Sequence, residues 1–112
     1  MNASDVTRLL RIRHRKDVFV GECKNGPSMM TGSHSRLDAW VMPRSWSNPA
    51  ITGYEIKVSR SDFLRDDKWH NYLPMCNALY FACAPGVADP REMPEGVGML
   101  VVTKTGTRLI TK

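Results

Sequence analysis

Hydrophobic and polar residues alternate in two neighbouring stretches near the middle of the chain, residues 37–42 and 51–58. A period of two is typical of strands with one face in a core, and Pro43 ends the first stretch. Residues 44–49 between them are rich in Ser, Asn and Pro, which is the composition of a loop. The pattern therefore predicts an antiparallel hairpin whose first strand begins near Arg36.

Two other stretches have helical patterns. Ser4 or Asp5 can cap a first helix that runs to about Lys16, and Ser59 can cap a second helix that runs to Pro74. The second helix would bear Asp66 and Asp67 as surface charges, one of which can approach a metal. The inward positions of the first helix are Val6, Leu9 and Leu10.

The remaining apolar stretches predict strands. Residues 18–23 form a short edge strand that carries Glu22, and residues 78–83 form a continuous apolar run that is typical of a strand buried on both faces. Residues 98–103 and 107–111 are joined by a short turn and predict a final hairpin. These elements together predict a single α/β domain.

The stretch around which the chain is organised is residues 53–63. Alternation along a strand puts Glu55 and Lys57 on one face and the apolar residues between them on the other, which predicts one chemical and one apolar face. The predicted hairpin brings Asp38 towards Glu55. Two carboxylates and an ammonium suit a divalent metal, a water molecule and a phosphate. The helix that follows would offer phosphate contacts through Ser59, Arg60 and Ser61.

A simpler interpretation of the same residues stays open. Glu55 and Lys57 can be a solvated ion pair on a polar strand, which contributes little to stability. The three histidines lack metal-ligand spacing, and so we expect them at the surface or in loops.

Composition and charge indicate which kinds of binding partner the protein can have. The chain has 112 residues and a formal charge of +5, which favours a polyanionic partner such as DNA. The basic residues between Arg8 and Lys16 can bind successive phosphates of a nucleic acid, or they can form the solvent-exposed face of an amphipathic helix. No apolar run could span a bilayer and the start has no signal core, so we expect a cytoplasmic protein without membrane contact. The three cysteines form no CxxC pair, which makes a disulfide framework or a zinc site improbable.

The motif Asp38…Glu55-Ile56-Lys57 resembles the PD-(D/E)XK nuclease signature. The longer segment from Tyr54 to Phe63, together with the aromatic residues that follow it in the chain, resembles the MmcB-like family of bacterial and phage DNA-repair proteins. The resemblance covers roughly residues 33–110. The resemblance implies a restriction-endonuclease-like fold, a central mixed sheet flanked by helices. It also implies a nuclease that uses Mg²⁺ or Mn²⁺ to hydrolyse DNA phosphodiesters in repair, recombination or phage DNA processing.

The same resemblance implies roles for individual residues. Asp38 and Glu55 would bind the metal with help from the backbone carbonyl of Ile56, and Lys57 would be the catalytic lysine. Leu37 replaces the proline of the family signature, which removes no ligand. Glu22 would be an additional acid near the metal, and Lys68 and Tyr72 would correspond to a QxxxY pair in which Lys replaces Gln. Apart from the resemblance, the loop position of Trp46 beside Arg44 favours these two residues as substrate contacts, with the tryptophan stacking on bases.

Two rival functions remain at this stage. The fold can serve as a non-catalytic DNA-binding module, or as a protein-interaction domain that inhibits a host system. The sequence also leaves open whether the protein forms a homodimer, binds other repair proteins or is truncated after its last strand.

Overall fold

The structure is a computed structural model that describes residues 1–24, 36–44, 50–66 and 69–111. Three helices and six strands lie in these ranges, with two short 3₁₀ turns at Leu73–Met75 and Pro90–Glu92. The helices are α1 (Ala3–Arg13), α2 (Arg60–Arg65) and α3 (Trp69–Tyr72). The strands are β1 (Val18–Lys24), β2 (Arg36–Met42), β3 (Thr52–Lys57), β4 (Ala78–Cys83), β5 (Val97–Thr103) and β6 (Gly106–Thr111).

The six strands form one mixed sheet in the order β1-β2-β3-β4-β5-β6. The first three strands pair antiparallel, β3, β4 and β5 run parallel, and β6 returns antiparallel beside β5. Ala39 pairs with Tyr54, which confirms the predicted hairpin. The predicted class, an α/β domain with a central mixed sheet flanked by helices, is confirmed.

Apolar side chains cover both faces of the sheet. We call the side on which α1 packs the α1 face, and the opposite side the α2 face. The α1 face contains Leu10, Tyr54 and Leu100 among its buried residues, and the α2 face contains Phe63, Tyr72 and Phe81. The prediction of one apolar and one chemical face is therefore wrong, because Glu55 and Lys57 lie among the apolar residues of the α2 face.

The first helix begins earlier and ends earlier than predicted. Asn2, rather than Ser4 or Asp5, caps α1: its side chain accepts a hydrogen bond from Asp5 N at 2.9 Å, and Asp5 Oδ2 accepts one from Asn2 N at 3.0 Å. Such a reciprocal pair satisfies two free amide groups of the first turn. The helix ends at Arg13, and the predicted inward residues Val6, Leu9 and Leu10 are buried.

The predicted helix from Ser59 to Pro74 is interrupted. Ser59 caps α2 as predicted, because its Oγ accepts a hydrogen bond from Asp62 N. The helix then ends at Arg65, and Asp66 has an extended backbone with φ −75° and ψ 117°. Pro74 lies within a 3₁₀ turn instead of stopping a long helix.

Gly53 lies where β3 passes close to the α2-face core. A Cβ atom at this position would come within 2.7 Å of Leu37 Cδ2 and 3.2 Å of Cys76 Sγ. Since Leu37 is fully buried, it has little room to move. We expect Gly53→Ala to lower the free energy of unfolding by about 1–3 kcal/mol.

Urea denaturation of Gly53→Ala beside Gly21→Ala tests this steric argument. A Cβ at Gly21 would meet its neighbours at 3.5 Å or more, so this strand glycine is a matched control with an expected change within about 0.5 kcal/mol. Equal stability of the two variants would contradict the close approach at Gly53.

None of the helices in the described part of the chain is long and apolar enough to cross a lipid bilayer.

Candidate active site

The end of β3 places two charged side chains inside the protein. Glu55 is 7% exposed and Lys57 is 8% exposed. Burial of charged groups is costly unless partners compensate them. Lys57 Nζ lies 2.6 Å from Asp66 Oδ2 and 3.6 Å from Glu55 Oε2, and 5.9 Å from the centre of the Phe81 ring. The interpretation as a solvated surface pair is therefore wrong.

Asp66 completes this cluster. The residue directly follows α2, and its side chain is only 3% exposed. The prediction of a helix-surface charge is thus wrong for Asp66, and the alternative that it approaches a metal stays a prediction. Its ion pair with Lys57 was not predictable from the sequence pattern, because the predicted helix continued to Pro74 and placed Asp66 in the helix interior.

Asp38 lies where β2 and β3 separate. Its Oδ2 accepts a hydrogen bond of 2.7 Å from Ile56 N, in place of the strand pairing that runs from Val41 to Ala39 on β2. The regular alternation of β2 breaks at this point: Ala39 lies on the α1 face, whereas Leu37 lies on the α2 face. The prediction that Leu37 and Ala39 share a face is wrong, while the predicted approach of Asp38 to Glu55 is observed.

The pKa of Glu55 reflects its burial and the charged groups around it. Burial, followed by the negative charges of Asp38 and Asp66, raises the pKa of Glu55 to about 8, and the positive charge of Lys57 offsets only part of that rise. Glu55 Oε1 is buried and receives no hydrogen bond from any described residue. An additional cation at this place would stabilise the ionised carboxylate.

The donor set fits a Mg²⁺ or Mn²⁺ ion that keeps several water molecules. Such ions are often held by one or two carboxylates, here those of Asp38 and Glu55, together with a carbonyl such as that of Ile56. Among the described residues, no group of three or more His, Cys, Asp or Glu side chains is arranged to hold a metal. A divalent ion held by Asp38 and Glu55 would therefore need water molecules as further ligands.

Comparison with known proteins places the chain in a family. A family model described as "DNA repair protein MmcB-like" matches residues 32–112, which includes every member of the cluster. The chain belongs to the MmcB-like family. No curated protein sequence matches this MmcB-like chain.

A solved structure shares the fold. It is described as the SPO1766 protein of unknown function from Silicibacter pomeroyi, and it superposes with a TM-score of 0.71 at 22% sequence identity. The match covers 95% of the MmcB-like chain and 66% of that structure, so the chain spans about two thirds of its length. This likeness supports the fold alone.

Arg60, a predicted phosphate ligand of the MmcB-like chain, is engaged elsewhere. Its guanidinium donates to both carboxylate oxygens of Glu92 at 2.6 and 2.5 Å and to Val87 O at 3.1 Å. The hydrogen bonds from Arg60 lower the pKa of Glu92 to about 2. Arg60 thus fastens the Pro90–Glu92 turn to α2. Ser59 Oγ caps α2 and lies 3.3 Å from Ser61 Oγ.

Two of the other predicted site residues have side chains in the described part of the structure. Tyr72 is buried in the α2-face core, and Arg44 is exposed just after β2. Lys68 and Trp46 lie outside the described residues. Glu22 belongs to β1, but its side chain also lies outside the described part of the structure.

His14 lies in the turn directly after α1, in agreement with the predicted loop position, but its side chain is partly buried. Its Nδ1 lies 2.8 Å from Asp17 Oδ2 and its Nε2 lies 2.7 Å from the Tyr54 hydroxyl. This partly buried cluster joins the end of α1 to β3, on the sheet face opposite Glu55.

Proposed function

We propose that this protein is a metal-dependent DNA nuclease of the PD-(D/E)XK superfamily that acts in DNA repair, recombination or phage DNA processing. The observation that carries the proposal is the buried cluster of Asp38, Glu55 and Lys57 where two strands separate. A cluster with a strongly perturbed pKa is common at functional sites. Membership of a family described as a DNA repair protein supports DNA as the substrate.

The residues divide into metal-binding and proton-handling roles. Asp38 and Glu55 would hold Mg²⁺ or Mn²⁺ with the carbonyl of Ile56, and the hydrogen bond from Ile56 N fixes the orientation of Asp38. A bound divalent ion supplies charge neutralisation for the scissile phosphate and its leaving group. Glu55 must lose its proton before it can serve as a ligand.

Lys57 orients the attacking water in this proposal. Its ammonium lies 3.6 Å from Glu55 Oε2, which places a proton donor next to the proposed metal ligand. The shorter 2.6 Å contact with Asp66 fixes the position of Nζ. Asp66 is therefore a positioning residue that holds the lysine ammonium in place within a low-polarity environment.

The substrate contacts are proposed for residues around this cluster. Arg60 can contact a phosphate only by exchanging its partner Glu92, so we assign it a weaker part than the sequence suggested. Glu22 would support the metal site. The remaining proposed contacts are Ser59, Ser61, Lys68, Tyr72, Arg44 and Trp46. A cytoplasmic location, a homodimer and other repair proteins as partners stay predictions.

Cleavage of labelled single-stranded, duplex, nicked and branched DNA tests this function. We expect cleavage of at least one substrate with Mg²⁺ or Mn²⁺, none with EDTA, and a loss of at least about 100-fold in Glu55→Gln. Asp62→Asn removes a carboxylate from the exposed pair with Arg65, outside the cluster, and should keep the activity. Absence of metal-dependent cleavage across the panel would overturn the nuclease proposal.

A non-catalytic DNA-binding module is the second candidate. The preference of Lys57 for Asp66 over Glu55 favours it, since a lysine tied to a structural acid need not act on water. This alternative predicts DNA binding that Lys57→Met and Glu55→Gln leave unchanged, with no cleavage under any metal.

A further inference from the structure

The α1 face bears a groove that shares Asp38 with the proposed catalytic cluster, while Glu55 and Lys57 lie on the opposite face of the sheet. Its volume is about 600 Å³, and α1, β1 and β2 supply its walls. The polar and basic part of the lining consists of Ser4, Thr7, Arg8 and Arg11, with Gly21 and Asp38 opposite. We propose that this groove binds the sugar-phosphate backbone of DNA and leads the strand to Asp38, an inference that rests on the proposed function.

The groove lining contains two arginines, Arg8 and Arg11, and one acid, Asp38. On the other side of the protein, Arg60 pairs with Glu92, Arg65 with Asp62 and Arg91 with Asp89. Arg8, by contrast, is exposed and makes no ion pair or hydrogen bond with the described residues. An excess of arginine over acid along a concave surface favours the positive potential that attracts a polyanion.

Arg11 is held in place for such contacts. Its guanidinium carbon lies 4.5 Å from the centre of the Phe19 ring, in cation–π contact. Its Nη2 lies close to β1, at 3.5 Å from the position that a Cβ on Gly21 would occupy, which is an ordinary van der Waals distance. A stacked guanidinium keeps its outward donors and loses less conformational entropy when it binds phosphate.

Asp38 connects the groove to the proposed catalytic cluster. It lines the groove and also accepts the hydrogen bond from Ile56 N where β2 and β3 separate. Arg8 and Arg11 stand three positions apart on α1 and therefore on one helix face. A DNA strand that contacts both arginines would thus reach Asp38, the member of the proposed cluster that the groove exposes.

Fluorescence anisotropy with labelled single-stranded and duplex DNA in EDTA measures this binding without cleavage. Each phosphate contact steepens the decline of log K with log salt by about 0.7 for single strands and 0.9 for duplex. We expect Arg8→Ala to flatten the slope by that amount and to weaken binding about fivefold to tenfold at 0.1 M salt. Arg11→Ala should act likewise, and Arg8→Lys should restore the slope.

Arg91→Ala is the matched control. It removes the same charge from an exposed arginine that is paired with Asp89, and we expect a change below about twofold. Wild-type binding by Arg8→Ala, or an equal loss in Arg91→Ala, would overturn the groove. Failure of cleavage with the predicted changes in binding would leave the groove in place and overturn the nuclease. Metal-dependent cleavage combined with wild-type binding by Arg8→Ala would support the nuclease and overturn the groove.

Discussion

Glu55→Gln should stabilise the protein without metal and at the same time abolish DNA cleavage. Glu55 has its pKa raised to about 8 by burial and by the charges of Asp38 and Asp66. A group with a raised pKa in the folded state contributes stability that is complete below its unfolded pKa, about 4.3, and is lost as the pH rises through about 8. The wild type therefore loses stability over this range, on the order of a few kcal/mol, and the neutral amide does not.

Urea denaturation in EDTA across pH 5 to 9, chosen to bracket this range, measures the effect. We expect the stability of Glu55→Gln relative to wild type to rise with pH and to level off above about 8. Glu92→Gln is the opposite control, because the bonds from Arg60 lower the pKa of Glu92 to about 2. Stability from Glu92 is present above its ordinary pKa and is lost only in acid, so its variant should be less stable throughout. A Glu55→Gln effect that does not depend on pH would contradict the buried acid.

Lys57→Met should destabilise the fold by about 3–5 kcal/mol, because it leaves buried carboxylates without their cation. Methionine keeps most of the side-chain volume against Phe81, so the loss reports on charge rather than on a cavity. Arg65→Met is the matched control: it removes a cation from the exposed pair with Asp62 and should change stability by less than about 0.5 kcal/mol.

A double-mutant cycle with Asp66→Asn assigns the origin of that loss. If the contact of 2.6 Å between Lys57 and Asp66 dominates, the double variant should recover most of the stability lost in Lys57→Met. Additive losses in the two single variants would show that the two charges do not interact. The charge-removing variants of this pair should also lose cleavage, since both are proposed to position the attacking water.

The sheet was predictable because its strands have strong patterns. The apolar periods of β2 and β3 identified both strands and their antiparallel pairing, which placed Asp38 near Glu55. The apolar run of β4 likewise indicated a central strand.

The predictions that were wrong concern contacts between residues that are distant in the sequence. The break after α2 puts Asp66 beside Lys57, and helix propensity contains no information on an ion pair with a neighbouring strand. The break in alternation at Asp38 arises because its side chain replaces a backbone partner of Ile56. The pKa of Glu55 depends on burial and on three neighbours, which a strand pattern cannot express.

The prediction of the residue that caps α1 was wrong for a local reason. Asn2 and Asp5 have the three-residue spacing of a capping box, but the prediction gave the cap to the residues inside it. This error moved the start of the helix and changed none of its inward residues.

Calorimetric titration with Mn²⁺ tests most directly whether Asp38 and Glu55 form a metal site rather than a structural acid pair. Because Glu55 must release its proton, we expect the Mn²⁺ affinity to rise by up to about tenfold per pH unit below pH 8, with about one proton released on binding. Glu55→Gln should bind little Mn²⁺. Equal Mn²⁺ binding by wild type and Glu55→Gln, or no binding by wild type at pH 8, would contradict it.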